Sequence, residues 1–208
     1  MKKIIDVIIC LCASLIILEG CNQISNVKPY IETAYEKGKM TAEGFESKYM
    51  DLRFTVPENY IMATDEDINS MMNIGADFIG LDEKVVDYAK LTTVYEMAVS
   101  ASIGSPNIIV MTEKLMLSNM TLEQYFENLK RQLSNLEVDI EIIGDKESIE
   151  IAGENYQKMD SIVSMYGQSM KQSYILRKID NRVVGFVTTS TFETEEELNG
   201  LLRNFTKF

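Results

Sequence analysis

Cysteine is confined to the first 21 residues of this 208-residue chain, at Cys10, Cys12 and Cys21. The rest of the chain therefore folds without a disulfide framework, and it has no thiol for a cysteine nucleophile or a thiolate metal site. A domain without such crosslinks depends on its hydrophobic core. Hydrophobic residues make up 46% of the chain, and about 188 residues beyond the N-terminal segment are enough for one domain with such a core.

The first 20 residues have the pattern of a secretory signal peptide. Lys2 and Lys3 give it a positive start, and the apolar run over residues 4–18 is shorter than the about 20 residues of a membrane span. The sequence Leu-Glu-Gly-Cys over residues 18–21 resembles the lipobox of bacterial lipoproteins. That resemblance implies cleavage before Cys21, which becomes the lipid-modified N-terminus.

The predicted organisation has three parts: a lipoprotein signal peptide over residues 1–20, a lipid-anchored stalk over 21–46 and a globular domain over 47–208. Each methylene group of the lipid that is buried in the bilayer contributes about 0.8 kcal/mol to membrane binding. The lipid therefore supplies the membrane contact, at the extracytoplasmic face. Glu19 departs from the lipobox pattern, where a small or apolar residue is usual. An uncleaved signal anchor and cleavage at an ordinary signal-peptidase site are the two alternatives.

Composition narrows the functions open to this chain. The net charge is −12, and an acidic surface repels the phosphate backbone of nucleic acids, so we expect no nucleic-acid partner. The chain has no histidine, which excludes Ser-His-Asp triads, Cys-His pairs and histidine-bearing metal sites. Paired carboxylates, lysine, tyrosine or an oxygen-ligated cation remain as catalytic groups, and we expect no cofactor.

Alternation of apolar and polar residues predicts strands along much of the domain. A strand over residues 52–56 ends at Pro57, and the run over 108–111 is apolar on both faces, as in an inner strand. Gly167-Gln168 and Asp180-Asn181 are typical of tight hairpin turns. Over 93–101, Tyr95, Met97 and Val99 alternate with Val94, Glu96 and Ala98. The other strand-like segments are 138–143, 149–152, 174–176 and 183–187.

Two capping boxes mark the starts of helices, one of Thr121 with Gln124 and one of Thr194 with Glu197. Residues 65–91 are also mostly helical in pattern. The helix that begins at Thr121 carries an apolar stripe of Leu122, Tyr125, Phe126, Leu129, Leu133 and Leu136. The helix that begins at Thr194 carries one of Leu198, Leu201, Leu202 and Phe205. The sequence therefore predicts an α+β domain, a mainly antiparallel sheet of five to seven strands covered by helices.

Four segments follow one another in a recognisable order: a strand over residues 52–60, a helix that begins at 121–125, a step over 153–156 into a long hairpin, and a final helix over 195–205. This order resembles the PsbP-like α/β/α sandwich of uncharacterised lipoproteins of Gram-positive bacteria, over the whole predicted domain. The resemblance implies an assembly or interaction module without a catalytic set. Residues 65–91 exceed the family core, which indicates an insertion.

Two short motifs have simpler explanations than the chemistry they match. Residues 65–69, Asp-Glu-Asp-Ile-Asn, begin like a calcium loop, but Ser70 and Ala76 stand where a glycine and a bidentate glutamate are needed. A helix N-terminus with favourably placed acids explains them better. Residues 25–28 match the S-x-x-K nucleophile motif by chance, because its partner motifs are missing.

Two larger sets of side chains remain. Five acids could supply a carboxylate pair for glycoside hydrolysis, but their alternation with apolar residues indicates a solvated strand face; they are Asp139, Glu141, Asp145, Glu147 and Glu150. Methionines adapt to varied apolar partners, so a groove with Met71, Met72 and Phe78 is an alternative to core filling. The other methionines of the domain are Met97, Met111, Met116, Met120, Met159, Met165 and Met170.

Three functions follow from these features. The first is a non-catalytic envelope lipoprotein whose domain binds an unidentified protein or assists assembly, with an exposed apolar patch. The second is a small-ligand or lipid binder with an apolar pocket of about 300–1,000 Å³. The third is an enzyme with clustered acids of raised pKa in a cleft. We favour the first, with Cys21 as the assigned lipidation site and no catalytic or metal-binding residue.

Overall fold

The computed structural model describes residues 34–70, 91–101, 106–136, 138–165 and 167–208. The predicted signal peptide, Cys21 and the start of the stalk lie outside these residues. No helix within the described ranges is long and apolar enough to cross a membrane. The strands are β1 (Lys39–Met40), β2 (Gly44–Ser47), β3 (Leu52–Thr55), β4 (Tyr60–Met62), β5 (Thr93–Ala101), β6 (Asn107–Lys114), β7 (Asp139–Ile151), β8 (Glu154–Met165), β9 (Gln168–Ile179), β10 (Arg182–Ser190) and β11 (Phe205–Thr206). The helices are α1 (Leu122–Ser134) and α2 (Glu195–Leu202), and residues 65–70 are also helical.

Seven strands form the main sheet, in the order β4-β5-β6-β10-β9-β8-β7. Every neighbouring pair in it is antiparallel, which confirms the predicted mainly antiparallel sheet. β10 lies at its centre, and Val183, Val184 and Phe186 there are fully buried, as expected for a segment that is apolar on both faces. The predicted turns at Gly167 and Asp180 connect β8 to β9 and β9 to β10, and both residues have positive φ, 75° and 53°.

A second sheet of four strands, in the order β1-β2-β3-β11, has no counterpart in the predicted fold. The described chain therefore has more strands than the five to seven that we expected for a single sheet. β1 and most of β2 lie within the predicted stalk, and Phe45 of β2 is fully buried. The packed region thus begins before residue 47, within the last residues of the segment predicted as the stalk.

The two faces of the main sheet carry separate hydrophobic cores. On one face, α1 buries its apolar stripe against β5, β6, β8, β9 and β10. On the other face, α2 and the second sheet cover Met97, Val110, Ile175, Val184 and Phe186. The domain is therefore built of three layers: α1, the main sheet, and the second sheet with α2.

The two predicted helix caps differ in outcome. At α1 the Thr121 hydroxyl accepts from the Gln124 amide at 3.2 Å, and the Gln124 side chain accepts from the Thr121 amide at 2.9 Å, which confirms that capping box. At α2 the Thr194 hydroxyl makes no bond to the helix amides. It accepts instead from the Thr191 amide at 3.0 Å. The capping box predicted at Thr194 is therefore wrong, because the preceding turn takes up its hydroxyl.

β5 contains a bulge between Tyr95 and Met97. The extra residue places Tyr95 in the core under α1, whereas Met97 and Val99 belong to the core under the second sheet. The simple alternation predicted for this strand is therefore wrong at Tyr95. Bulges re-aim side chains, and here Glu96 turns inward with 1% of its surface exposed.

Candidate functional site

Several residues singled out in the sequence lie outside the described part of the chain. These are the lipidation site Cys21, the S-x-x-K match over 25–28, and the groove candidates Met71, Met72 and Phe78. Their roles stay predictions.

The acids over residues 65–69 form a helix start, as the sequence indicated. Asp67 accepts from the amide and the hydroxyl of Thr64 at 3.0 and 2.7 Å, and the Asp67 amide donates back to that hydroxyl at 3.1 Å. The hydrogen bonds from Thr64 lower the pKa of Asp67. Asp65 pairs with Lys37 at 2.9 Å. Over the described ranges, no three acids are placed to hold a metal ion.

Most of the described methionines fill the core. Met97, Met111 and Met159 are at most 1% exposed, and Met120 and Met170 are also buried. Met116 differs, because 57% of its surface is exposed in the loop between β6 and α1. A surface depression lined by Glu36, Lys37, Gly38, Lys39, Glu46, Lys48 and Phe208 encloses about 50 Å³, well below the roughly 300–1,000 Å³ of a ligand pocket.

The acids of β7 lie along one edge of the main sheet. β7 pairs with β8 on one side and is the last strand in the sheet order. Asp139, Glu141, Glu147 and Glu150 are exposed, which confirms the predicted solvated face for these four; the side chain of Asp145 lies outside the described ones. Two bulges interrupt the pairing, between residues 142 and 147.

Two glutamates that the sequence analysis did not single out are the most deeply buried acids described. Glu113, on β6, faces α1 and accepts from the Tyr125 hydroxyl at 2.5 Å. Burial raises the pKa of Glu113 to about 8, and the bond from Tyr125 acts in the opposite direction. Burial, together with the nearby Glu113, also raises the pKa of Tyr125 well above 10. Glu113 is therefore protonated near neutral pH, inside the core and not in a cleft.

Glu96 lies on the other face of the sheet, at the β5 bulge. One of its carboxylate oxygens accepts from the Tyr35 and Thr112 hydroxyls, both at 2.8 Å, and the other accepts from the Gly38 amide at 2.8 Å. Burial, followed by the charge and hydrogen bond of Glu96, raises the pKa of Tyr35 far above its usual value. Three donors thus hold this acid, and two of them come from residues before the second sheet.

A third polar group lies on the α2 side of the main sheet. Asp160 pairs with Lys158 at 2.9 Å and with Lys171 at 3.2 Å, and Lys171 also reaches Glu195 of α2 at 2.5 Å. Burial acts to raise the pKa of Asp160, but bonds from Ser173 and Lys158 and the charges of both lysines outweigh it, so that pKa is lowered.

Lys171 lies opposite the buried Ser190 in the strand register, a pairing that could in principle give a serine nucleophile and a lysine base. A lysine base must lose its proton near neutral pH. Burial acts to lower the pKa of Lys171, but its bonds and charge interactions with Glu195 and Asp160 outweigh burial and raise it. Lys171 is therefore held as an ammonium ion, which opposes such a role.

Comparison with known proteins gives two structural similarities. No protein-family model and no curated protein matches the sequence. The solution structure of the cyanobacterial PsbP (CyanoP) from Synechocystis sp. PCC 6803 is similar at a TM-score of 0.46 and 12% identity, covering 88% of this chain and 98% of that one. The crystal structure of LpqN, involved in cell envelope biogenesis of Mycobacterium tuberculosis, is similar at 0.43 and 10%, covering 74% and 82%.

The first of these structures is named for the PsbP family that the sequence resembles. Both identities are far below the level at which residues correspond, and both TM-scores are below 0.5, so neither structure transfers a site or an activity to this chain.

Proposed function

We propose that this chain is a lipoprotein held at the extracytoplasmic face of a membrane through lipid on Cys21, and that its domain acts by binding another protein and not by catalysis. The anchor rests on the sequence around residues 18–21. The binding role rests mainly on one observation, the long acidic edge strand β7 of the main sheet.

An edge strand offers unpaired backbone amides and carbonyls to another strand. β7 is 13 residues long, and its outer edge has no neighbour among the described strands. Its two bulges leave regular stretches over residues 139–142 and 147–151. Each stretch is long enough to accept a short extended segment, the mode of recognition in which main-chain bonds give affinity and side chains give specificity.

The charges on β7 indicate what kind of segment fits. Glu141 and Glu150 are exposed, one in each regular stretch, and the chain as a whole carries a net charge of −12. A second copy of the same acidic edge is repelled, whereas a segment rich in lysine or arginine is attracted. The partner that this edge favours is therefore an extended basic segment of another protein.

The buried ionisable groups support a non-catalytic role. Glu96 is held by three donors, Glu113 is enclosed with Tyr125, and Lys171 is paired with two acids. Each of these groups stabilises the fold through its contacts. A catalytic acid or base has to reach a substrate, and the two glutamates lie inside the domain, whereas Lys171 is held as an ammonium ion by its two acids.

The anchor is tested by intact mass and membrane fractionation of the full chain beside Cys21→Ala. We expect the wild type to lose 20 residues, gain a diacylglycerol and remain in the membrane fraction, and the variant to keep its N-terminal residues and gain no lipid. If both proteins keep their N-terminal residues, the lipid anchor is contradicted and the chain is held by an uncleaved signal anchor. Cleavage and release of both contradicts it in favour of secretion.

The binding role is tested by photo-crosslinking in intact cells from a photoreactive amino acid at Glu141. The matched control places the same group at Glu58, an exposed glutamate in the turn before β4. We expect a discrete crosslinked protein from position 141 alone, and its loss in a Glu150→Lys background. The same product from both positions, or none from position 141, contradicts a partner on β7.

A further inference from the structure

The N-terminal part of the described chain arrives at one particular end of the main sheet. The Tyr35 ring lies under the Arg182 guanidinium, 3.9 Å from its centre, and packs edge-on against Tyr49 at 5.3 Å. Arg182 begins β10 and pairs with Lys114, the last residue of β6. We call this end, marked by Thr93, Lys114 and Arg182, the tether end.

Three exposed hydrophobic side chains lie at the tether end. Leu91 is 84% exposed and stands two residues before Thr93, which pairs with Glu113 near the end of β6. Met116 and Leu117 follow β6 directly and are 57% and 41% exposed. Leu115, just before them, donates to the Asn181 carbonyl at 2.8 Å, which fixes the loop beside the β9–β10 turn.

The covalent chain keeps the tether end near the proposed anchor. Tyr35 follows Cys21 by 14 residues, and a chain of that length spans about 50 Å at most. The hydrogen bonds from Tyr35 and Gly38 to Glu96 hold the start of the domain on this end. The surface most easily brought to the membrane is therefore the one that carries Leu91, Met116 and Leu117.

We propose that the tether end is a second membrane contact, at which Leu91, Met116 and Leu117 enter the boundary between lipid headgroups and acyl chains. The inference rests on the lipid anchor of the proposed function. Lys114, Arg182 and Asp180 lie at this end, so it carries charges of both signs. The contact is therefore driven by insertion of apolar side chains and not by attraction to charged lipid headgroups. The domain then stands end-on, with β7 accessible from the side.

The test uses the distribution of cysteine along the chain. Because no cysteine follows residue 21, Met116→Cys in the full chain creates a single labelling site once Cys21 carries lipid. The matched control is Ile61→Cys, because Ile61 is 59% exposed and pairs with Ser100, roughly 25 Å along β5 from Thr93. The lipidated proteins are labelled with an environment-sensitive dye and reconstituted in phosphatidylcholine vesicles that contain a lipid-attached quencher.

We expect the probe at position 116 to be quenched several-fold more than the probe at position 61, with its emission shifted to shorter wavelength. A probe at Leu117→Cys is expected to give the same result, and added phosphatidylglycerol is expected to change little. Equal quenching at positions 116 and 61 in a lipidated protein overturns this inference alone. Shielding of position 116 that depends on protein concentration in detergent also overturns it, in favour of a second copy. Absence of lipid on Cys21, seen by mass, overturns the anchor as well.

Discussion

Glu96 and Glu113 lie on neighbouring strands of one sheet, and each is 1% exposed. They point to opposite faces of the sheet, and the hydrogen bonds that they accept there differ. Under the second sheet, Glu96 accepts three hydrogen bonds. Under α1, Glu113 accepts from Tyr125 and has a pKa raised to about 8. Burial penalises the charge of a carboxylate, and the number of donors that reach it determines how much of that penalty is offset.

The origin of the donors also differs between the two faces. Tyr125 belongs to the helix that covers Glu113, so that contact stays within one face. The donors to Glu96 include Tyr35 and Gly38, which are 61 and 58 residues away in sequence. Glu96 therefore attaches the N-terminal segment to the main sheet, whereas Glu113 makes the core under α1 sensitive to pH.

The largest expected effect is the pH dependence of stability caused by Glu113. Its pKa is about 8 in the folded state against 4.5 for the unperturbed group, so between these values the folded state holds a proton that the unfolded state lacks. The free energy of unfolding then falls as pH rises through this window, by up to about 1.4 kcal/mol per unit, and levels off above it.

Urea unfolding at intervals between pH 4.5 and 8 measures this slope. We expect Glu113→Gln to flatten it, and Glu141→Gln, an exposed control on β7, to leave it as in the wild type. Equal slopes in the wild type and Glu113→Gln would remove the distinction between the two faces.

The same substitution on the other face should act through lost hydrogen bonds. In Glu96→Gln, one oxygen becomes an amide NH2 group. It faces either the Gly38 amide, a donor that it cannot satisfy, or the Tyr35 and Thr112 hydroxyls, which then have to turn and accept and so lose their own acceptor. We expect a loss of about 1–3 kcal/mol in the free energy of unfolding at pH 7. Glu113→Gln at that pH should cost less, because the amide oxygen can still accept from Tyr125 and folding no longer requires the uptake of a proton. A cost for Glu113→Gln equal to that of Glu96→Gln would contradict the comparison.

Removal of the Tyr125 donor to Glu113 should change both stability and titration. Tyr125→Phe deletes a buried hydroxyl, and we expect a loss of about 1 kcal/mol at pH 7. The bond from Tyr125 lowers the pKa of Glu113, so its loss should extend the falling part of the stability curve to higher pH. Urea unfolding carried on above pH 8, with Glu113→Gln/Tyr125→Phe as the control that lacks the titrating group, checks the shift.

The smallest effects should distinguish buried from exposed contacts within residues 35–38. Tyr35→Phe removes one donor to the buried Glu96 and should cost about 1 kcal/mol. Lys37→Ala removes an ion pair to Asp65 whose partners are 41% and 71% exposed, and it should cost less than about 0.5 kcal/mol. Thermal unfolding of both variants, with amide exchange at Gly38, measures the difference. Faster exchange at Gly38 in Lys37→Ala than in Tyr35→Phe would show that Glu96 does not hold this segment.

Local features of the fold could be predicted from the sequence. The start of α1 depends on Thr121 and Gln124, three residues apart, and its buried stripe repeats at helical spacing. The turns at Gly167 and Asp180 lie between apolar runs that pair with each other. In each of these cases the residues that determine the structure are neighbours in the chain.

Contacts between distant residues could not be predicted in this way. β1 and β11 have two residues each, too few for a period to show, so the second sheet was missed. The bulge turns Glu96 toward donors that include two about 60 residues earlier, and an alternating strand gives no sign of it. For the candidate site, the exposure of the β7 acids followed from their alternation, but the position of β7 at the sheet edge is a property of the whole topology.

The contacts of Tyr35 and Gly38 with Glu96 have a mechanical consequence if the chain is anchored as proposed. Tension on the membrane side then enters the domain at this point, before it reaches either core. The two hydrogen bonds to Glu96 and the two-residue strand β1 are the first elements to bear the load. Their release frees residues 35–40 and lengthens the tether by about 20 Å while the main sheet stays folded. Under the proposed anchor, a pull on the membrane side would therefore break the contacts of Tyr35 and Gly38 with Glu96 before it disturbs either hydrophobic core.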